Sequence, residues 1–248
     1  MNFIETPKRA QFKNNASALS RKDFVESEIF TLLKDGRIVE KTTPPLVVNP
    51  LTVADNGTKL RLILDLRYVN QHLAQEYVRY DDWRVFENYV YPNSWLFKFD
   101  LKSGYHHIDL HAEVQEFFGF SWEIEGNVRH FVYTVLVFGL APAPKVFTKV
   151  LRPLTTFWRE KGVKIAVYLD DGAGNEFNLA NAKNHSRLVK ETLVQAGFVI
   201  NEDKSIWEPS KIITWLGVTV DTVQNIYYIS EKRITKCKIY LTYLLASA

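Results

Sequence analysis

Cysteine is almost missing from this sequence, and so are several other features that define protein classes. Cys237 is the only cysteine in 248 residues, so no intrachain disulfide can form and no cysteine cage can hold zinc. The chain also opens without a basic segment running into an apolar one, which is the pattern of a secretory leader. Together these lead us to expect an intracellular chain, nuclear or cytoplasmic, rather than a secreted one. The longest apolar stretch, from Phe131 to Leu140, is broken by Thr134 and Gly139 and falls far short of the roughly 20 residues a membrane span needs. With 11 glycines and 9 prolines there is no repeat, low-complexity tract or linker, so the chain reads as one large domain or two intimate subdomains. A net charge of +3 permits a polyanionic partner without arguing for one.

Aromatic residues are abundant, at 14%. They serve either a filled core or stacking on bases, and composition favours the core. Residues 1–19 read as an irregular, mobile arm. Ser20-Arg21-Lys22-Asp23 suggests a capping box opening a helix with Val25, Ile29, Leu32 and Leu33 on one stripe, stopped at Gly36. Asn56-Gly57 between two apolar runs predicts a hairpin, as does Glu125-Gly126-Asn127 between runs 117–122 and 129–137. Trp95 to Phe99 predicts a strand and 144–159 a helix kinked at Pro153. Residues 163–169 predict a strand turned at Asp170-Asp171-Gly172, and 179–196 a helix capped by Gly197. Short strands are expected near 198–200, 205–207, 213–220 and 226–229. Ser230 is expected to cap a last helix with Ile234, Cys237, Leu241 and Leu244 on one face. Mixed elements without strict alternation predict an α+β fold.

The carboxylates are the chemically pointed feature. Asp100 ends an apolar strand, and Asp170 and Asp171 sit at the tip of another. If those strands are neighbours, three like charges meet at one sheet edge. Their repulsion is relieved by divalent cations with oxygen ligands, and two such ions suit in-line displacement at phosphorus. Asp-Asp-Gly is also ordinary turn chemistry, so that reading stays open. His107 and His111 are four apart, but Ile108 stands where a zinc-protease helix needs glutamate, and a strand is expected here. Gly172-Ala173-Gly174 lacks the third glycine of a dinucleotide fingerprint.

Several ordered segments resemble reverse transcriptases. They are Lys59-Leu60-Arg61-Leu62-Ile63-Leu64-Asp65-Leu66-Arg67-Tyr68-Val69-Asn70, Phe99-Asp100-Leu101-Lys102-Ser103-Gly104-Tyr105-His106-His107-Ile108, Phe138-Gly139-Leu140-Ala141-Pro142-Ala143-Pro144, Tyr168-Leu169-Asp170-Asp171, Gly197-Phe198 through Lys204, and Trp215-Leu216-Gly217. Val48-Asn49-Pro50-Leu51, Tyr80-Asp81-Asp82-Trp83-Arg84, Gly119-Phe120-Ser121-Trp122 and 147–154 resemble DIRS-like, tyrosine-recombinase retrotransposons.

The resemblance implies a palm-and-fingers polymerase fold with the thumb largely missing. A flexible arm would cover 1–19, the first part of the fingers 20–94, the palm with a fingers insertion and primer grip 95–229, and the start of a truncated thumb helix 230–248. It implies template-directed DNA synthesis from RNA or DNA, with dNTPs, a template–primer and two Mg²⁺ ions (Mn²⁺ possible). Asp100, Asp170 and Asp171 would be catalytic metal ligands, joined by the backbone carbonyl of Leu101. Lys204 would donate a proton to pyrophosphate. Lys59 and Arg61 would clamp the triphosphate, Tyr105 would act as a gate against a 2′-hydroxyl, and Phe138 and Gly139 would shape the nucleotide pocket. Phe138 stands where retroviral relatives carry a glutamine. Arg67, Pro144, Tyr168, Trp215, Leu216 and Gly217 would hold template and primer.

Taken singly, Arg61 and Lys204 also suit solvated charges, and Tyr105 and Trp215 also suit core positions. Lys232, Arg233, Lys236 and Lys238 would suit a helix lying on nucleic acid, or a solvated face. RNase H and recombinase regions and the rest of the thumb would belong to the parent polyprotein, with no membrane involved. A catalytically inactive remnant that only binds nucleic acid is the rival, and an RNA-synthesising palm polymerase a second.

Overall fold

The computed structural model describes residues 2–57, 59–75, 77–229 and 231–246, without the side chains of Glu231, Lys232, Tyr243, Leu244 and Ala246. The expected cap Ser230 and the side chains of Lys232 and Leu244 therefore lie outside the described residues. The fold is α+β, as expected, and divides into two compact units. One comprises residues 1–78 and 105–147, the other residues 79–104 and 148–248.

The first unit is built on a five-stranded sheet in the order Ala10–Gln11, Val47–Val48, Gly119–Ile124, Asn127–Tyr133, Ile38–Lys41. Helix Lys22–Lys34 buries Val25, Ile29 and Leu32, a stripe spaced four and three apart that matches the helical period. It ends where Gly36 takes φ +70° and the Arg37 amide reaches back to the Leu32 carbonyl, a left-handed C-terminal stop. The two central strands turn through Glu125 and Gly126, both at positive φ, as a two-residue hairpin requires. A second hairpin pairs Leu51–Asp55 with Leu60–Leu64 across Asn56-Gly57. Aromatics fill the core here: Phe118, Phe120 and Phe131 are fully buried, and Phe120 stacks on Phe131 at 5.2 Å.

The second unit carries a four-stranded antiparallel sheet in the order Ile206–Ser210, Trp95–Asp100, Asp171–Glu176, Lys164–Tyr168. A three-stranded sheet of Ile212–Trp215, Val218–Asp221 and Ile226–Ile229 belongs to the same unit. Helix Leu179–Gln195 is capped by the Asn178 side chain, which accepts from the Asn181 amide. The Trp158 indole donates to Thr192 Oγ1 at 2.7 Å, so helix Ala143–Glu160 is tied to helix Leu179–Gln195 through a buried tryptophan. Among the described residues, no helix is long and apolar enough to cross a membrane.

Several local expectations need correction. Residues 1–19 are not wholly irregular: Ala10–Gln11 pairs with Val47–Val48, and helix Ala16–Leu19 buries Ala18. Ser20 does not cap the next helix; its hydroxyl donates to the Ser17 carbonyl, and the cap residue Arg21 makes no side-chain bond. The strand expected over 129–137 ends at Tyr133. Residues 104–107 form a 3₁₀ turn rather than a strand. Residues 198–200 form only one bridge, Ile200 to Leu101. The strand expected over 213–220 breaks into a hairpin because Leu216 and Gly217 both take positive φ. Pro153 lies inside one continuous helix.

The most informative surprise is the strand Asp171–Glu176. Its sequence, Asp-Gly-Ala-Gly-Asn-Glu, has poor strand propensity, yet it pairs on both edges. Its glycines sit opposite Phe99 and Phe97. A Cβ on Gly172 would lie 2.3 Å from the Phe99 ring, and one on Gly174 would lie 2.2 Å from the Phe97 ring. The phenylalanine rings cover the glycine backbone, a packing that a side chain would prevent. Gly174→Ala should therefore destabilise the protein by about 1–3 kcal/mol, measured as a lowered urea midpoint. Adding Phe97→Leu should recover part of the loss. A neutral Gly174→Ala variant would show that the ring does not hold the strand.

Candidate active site

The sheet of the second unit brings the acidic residues together. Asp100 is the last residue of its strand, Asp171 is the first of the next, and the two are direct cross-strand partners. The turn between Lys164–Tyr168 and Asp171–Glu176 consists of Leu169, at φ +54°, and Asp170. The turn therefore lies one residue earlier than expected, and Asp171 belongs to the strand. The Asp170 carbonyl accepts from the Leu101 amide at 2.8 Å, so the tip of the hairpin is fastened beside the end of the Asp100 strand.

Asp100 is held from several sides. The Asn201 side chain donates to Asp100 Oδ1 at 2.9 Å, and the Asn201 amide donates to the Asp100 carbonyl at 2.8 Å. Lys204 Nζ lies 3.4 Å from Asp100 Oδ1. The Asp100 amide donates to Ser205 Oγ at 3.1 Å. Lys204 thus stands beside the acids, with its side chain mostly in solvent. Leu216 and Gly217 line the same cleft of about 510 Å³ with Asp100, Asp171, Lys98 and Lys204. Trp215 does not: it is buried against Trp83 and Phe86.

Electrostatics sets the character of this place. Burial pushes the Asp171 carboxyl up to about 7; Lys98 opposes the rise, while Asp100 and Asp170 add to it. The indole of Trp215 also favours the ionised form, although no hydrogen bond of normal geometry reaches its buried N–H. Burial likewise raises Asp170, Asp100 repels it, and Lys204 eases it. Two amines thus oppose three partly desolvated acids. All the donors are oxygens, which fits a hard divalent cation. Among the described residues, no three side chains of His, Cys, Asp or Glu close on a single ion. An open set of this kind suits Mg²⁺, which takes one or two carboxylates and completes its shell with water and substrate phosphates.

The remaining expected residues fall into separate groups. In the first unit, Lys59 and Arg61 are exposed on the hairpin Leu51–Asp55/Leu60–Leu64. Arg67 is engaged with Asp65, its Nε lying 2.9 and 3.0 Å from the two carboxylate oxygens, and this partner holds the Asp65 carboxyl below its ordinary value. Arg67 and Gly139 line one cleft with Asn70. Tyr105 packs on Phe138 at 4.7 Å and on Phe147 at 5.6 Å. Gly139 takes φ +90°. In the second unit, the Tyr168 ring packs on Tyr80 at 5.3 Å. Pro144, in the first unit, is the second residue of helix Ala143–Glu160.

Sequence reasoning missed Lys98, Asn201 and Asn70. Strand alternation could have found Lys98, which shares a face with Asp100 two residues on. Asn201 and Asn70 lie inside segments already singled out. Asn70 Nδ2 donates to the Gly139 carbonyl while its Oδ1 accepts from the Ala141 amide, both at 2.9 Å.

The raised Asp171 has a thermodynamic consequence. Its folded value of about 7 lies above the ordinary 3.8, so the fold favours the protonated acid. That contribution is complete below about pH 4 and is lost as pH rises through 7. In metal-free buffer, Asp171→Asn should be more stable than the unsubstituted chain at pH 8, by about 3–8 °C in Tm, should keep less than about half of that advantage at pH 5, and should lose it near pH 4. An advantage equal at all three pH values would mean that Asp171 is not strained by burial.

Comparison with known proteins identifies the family. The family described as reverse transcriptase (RNA-dependent DNA polymerase) matches residues 53–220. The retrovirus-related Pol polyprotein from transposon gypsy of Drosophila melanogaster is 28% identical over 217 residues, which is 77% of this chain and 20% of that polyprotein. A putative enzymatic polyprotein of Cassava vein mosaic virus is 24% identical over 202 residues, 77% of this chain and 29% of its own length. The chain thus spans less than a third of these relatives. Among solved structures, the foamy viral protease-reverse transcriptase in complex with double-stranded DNA superposes with a TM-score of 0.79 at 22% identity, covering 96% of this chain and 39% of that one. The same protein with an RNA/DNA hybrid gives a TM-score of 0.75 at 20% identity, covering 95% and 30%. The architecture is the palm-and-fingers fold of reverse transcriptases, and the chain belongs to the reverse transcriptase family.

Proposed function

We propose that this chain extends a primer with deoxynucleotides on an RNA or DNA template, by nucleotidyl transfer at Asp100, Asp170 and Asp171. The observation that carries this is the cross-strand pairing of Asp100 with Asp171, beside the fastened Asp170 turn. Two Mg²⁺ ions (or Mn²⁺), held by these carboxylates and the Leu101 carbonyl, would supply activation of the primer 3′-hydroxyl and stabilisation of the leaving pyrophosphate. The ammonium of Lys204, kept beside Asp100, would hold the proton that pyrophosphate takes. Lys59 and Arg61, exposed on their hairpin, would grip the triphosphate, where the arginine fork can bind phosphate oxygens in pairs. Tyr105 would pack under the incoming sugar and reject a 2′-hydroxyl, with Phe138 and Gly139 completing that pocket.

Arg67, Pro144 and Tyr168 would contact the template, and Trp215, Leu216 and Gly217 the primer end. In this reading residues 20–94 begin the fingers, 95–229 form the palm with a fingers insertion, and 230–248 start a thumb helix. The segments at 48–51, 80–84, 119–122 and 147–154 support an origin in a DIRS-like retrotransposon polyprotein. The rest of the thumb and the RNase H and recombinase regions of such an element would lie outside these 248 residues.

Primer extension on an RNA template with dNTPs and Mg²⁺ tests this. Asp170→Asn should lose about a hundredfold or more, roughly 2.7 kcal/mol of barrier. If neither protein extends and both bind template–primer in a salt-dependent way, the chain is a binding remnant and the proposal fails. Tyr105→Ala should raise ribonucleotide incorporation relative to deoxynucleotide by about tenfold or more; unchanged sugar selectivity would remove Tyr105 from that role.

A further inference from the structure

Phe138 poses a problem of position. It is 46% exposed, yet its ring is the surface on which Tyr105 rests, at 4.7 Å and 43°. A half-exposed phenylalanine has rotamers that swing into solvent, and Tyr105 would then lose an aromatic wall. Another wall, Phe147, is fully buried. His106 also packs against Phe138, its ring edge-on at 5.4 Å and 70°, and this contact limits that swing.

His106 is itself fixed. Arg37 Nη1 lies 3.0 Å from His106 Nδ1. A guanidinium has no acceptor, so Nδ1 must be the unprotonated, accepting nitrogen. The electrostatics agree: burial first, then Arg37 and His107, drive the imidazole down to about 4 against the pull of Asp35. His106 is therefore neutral at physiological pH. Arg37 cannot drift either. Its amide donates to the Leu32 carbonyl at the helix stop, its carbonyl accepts from the Thr134 amide, and Nη2 lies 3.2 Å from Asp35 Oδ2. The order of support runs from Arg37 to His106, to Phe138, to Tyr105, all within the first unit.

We infer that Arg37 and His106 are positioning residues for sugar selection: they hold Phe138 against Tyr105 and so set how strongly a ribonucleotide is rejected. This rests on the proposed gate role of Tyr105. Arg37 belongs to no motif that suggested function, and His106 lies inside one without a role of its own. Their link is visible only because the hydrogen bond joins positions 69 apart in sequence.

The test compares kcat/KM for dGTP and GTP in primer extension by the full chain carrying Arg37→Met, Arg37→Lys, Tyr105→Ala, or both Arg37→Met and Tyr105→Ala. Arg37→Met should lower the deoxy-to-ribo ratio by about 5–20-fold, while dGTP incorporation stays within about threefold. Arg37→Lys, which keeps a donor, should retain more of the ratio. The double variant should fall no further than Tyr105→Ala alone, because both changes act through one ring.

A general folding defect would instead depress both nucleotides together and leave the ratio intact. If Arg37→Met keeps the full ratio while Tyr105→Ala loses it, the gate stands and this inference falls. If Tyr105→Ala also keeps the ratio, the gate reading itself has failed. A readout independent of turnover is the NMR contact between Tyr105 and Phe138 ring protons, which should weaken in Arg37→Met. Its persistence at full strength would overturn the inference.

Discussion

Everything at the candidate site depends on holding mutually repelling carboxylates at one end of an antiparallel strand pair. Asp100 and Asp171 are placed opposite each other by sheet register alone. A one-residue slip would turn Asp171 to the other face of the sheet. Two glycines under two phenylalanine rings prevent that slip: only glycine fits at 172 and 174 beneath Phe99 and Phe97. The packing of one strand face thus fixes the electrostatics at its end, and the cost of desolvating the acids is offset by contacts made within the same strand pair.

The counter-charges are placed to leave the acids under-neutralised. Lys98 shares the face of Asp100 yet donates to the Thr214 carbonyl, so its charge acts on Asp171 at a distance. Lys204 approaches Asp100 from a solvent-exposed turn. Had either amine formed a tight, buried pair with one acid, that carboxylate would be ionised and satisfied without help. Instead Asp171 stays raised, and the proposed cations would bring the ionised form back into favour. Primer-strand chemistry and the poor intrinsic stability of this corner are, in this reading, two consequences of one arrangement.

What was legible in the sequence follows from range. Asn56-Gly57 and Glu125-Gly126 announced their hairpins because a glycine at positive φ between apolar runs determines a turn locally. Asp100 stood out because an apolar run ended in an acid. The strand Asp171–Glu176 was illegible for the opposite reason. Its residues have no strand preference, and its strand state comes from Phe97 and Phe99, more than seventy positions away in the chain. The break at Leu216-Gly217 hid because leucine rarely takes positive φ. The pairing of Arg67 with Asp65 was not foreseen, since side-chain pairing is a matter of rotamers and not of spacing. Ser20 misled because its hydroxyl found a carbonyl in the preceding turn instead of an amide in the next.

The residues missed most consistently were asparagines, and their chemistry explains why they recur. A loop beside a site has no ladder to satisfy its backbone, so another group must donate and accept at fixed spacing. An amide side chain does both. Asn70 donates to Gly139 and accepts from Ala141, so it bonds across the loop as a neighbouring strand would. Asn49 donates to the Phe117 and Gly119 carbonyls and joins the strand Val47–Val48 to the start of its neighbour. Asn201 binds Asp100 through side chain and backbone together. Aspartate at 70 would lose the bond to Gly139, and aspartate at 201 would add a fourth negative charge to the acids. The loop at 139–141 and the turn at 201 beside the acids are therefore shaped by neutral amides, which a search for charged or nucleophilic residues passes over.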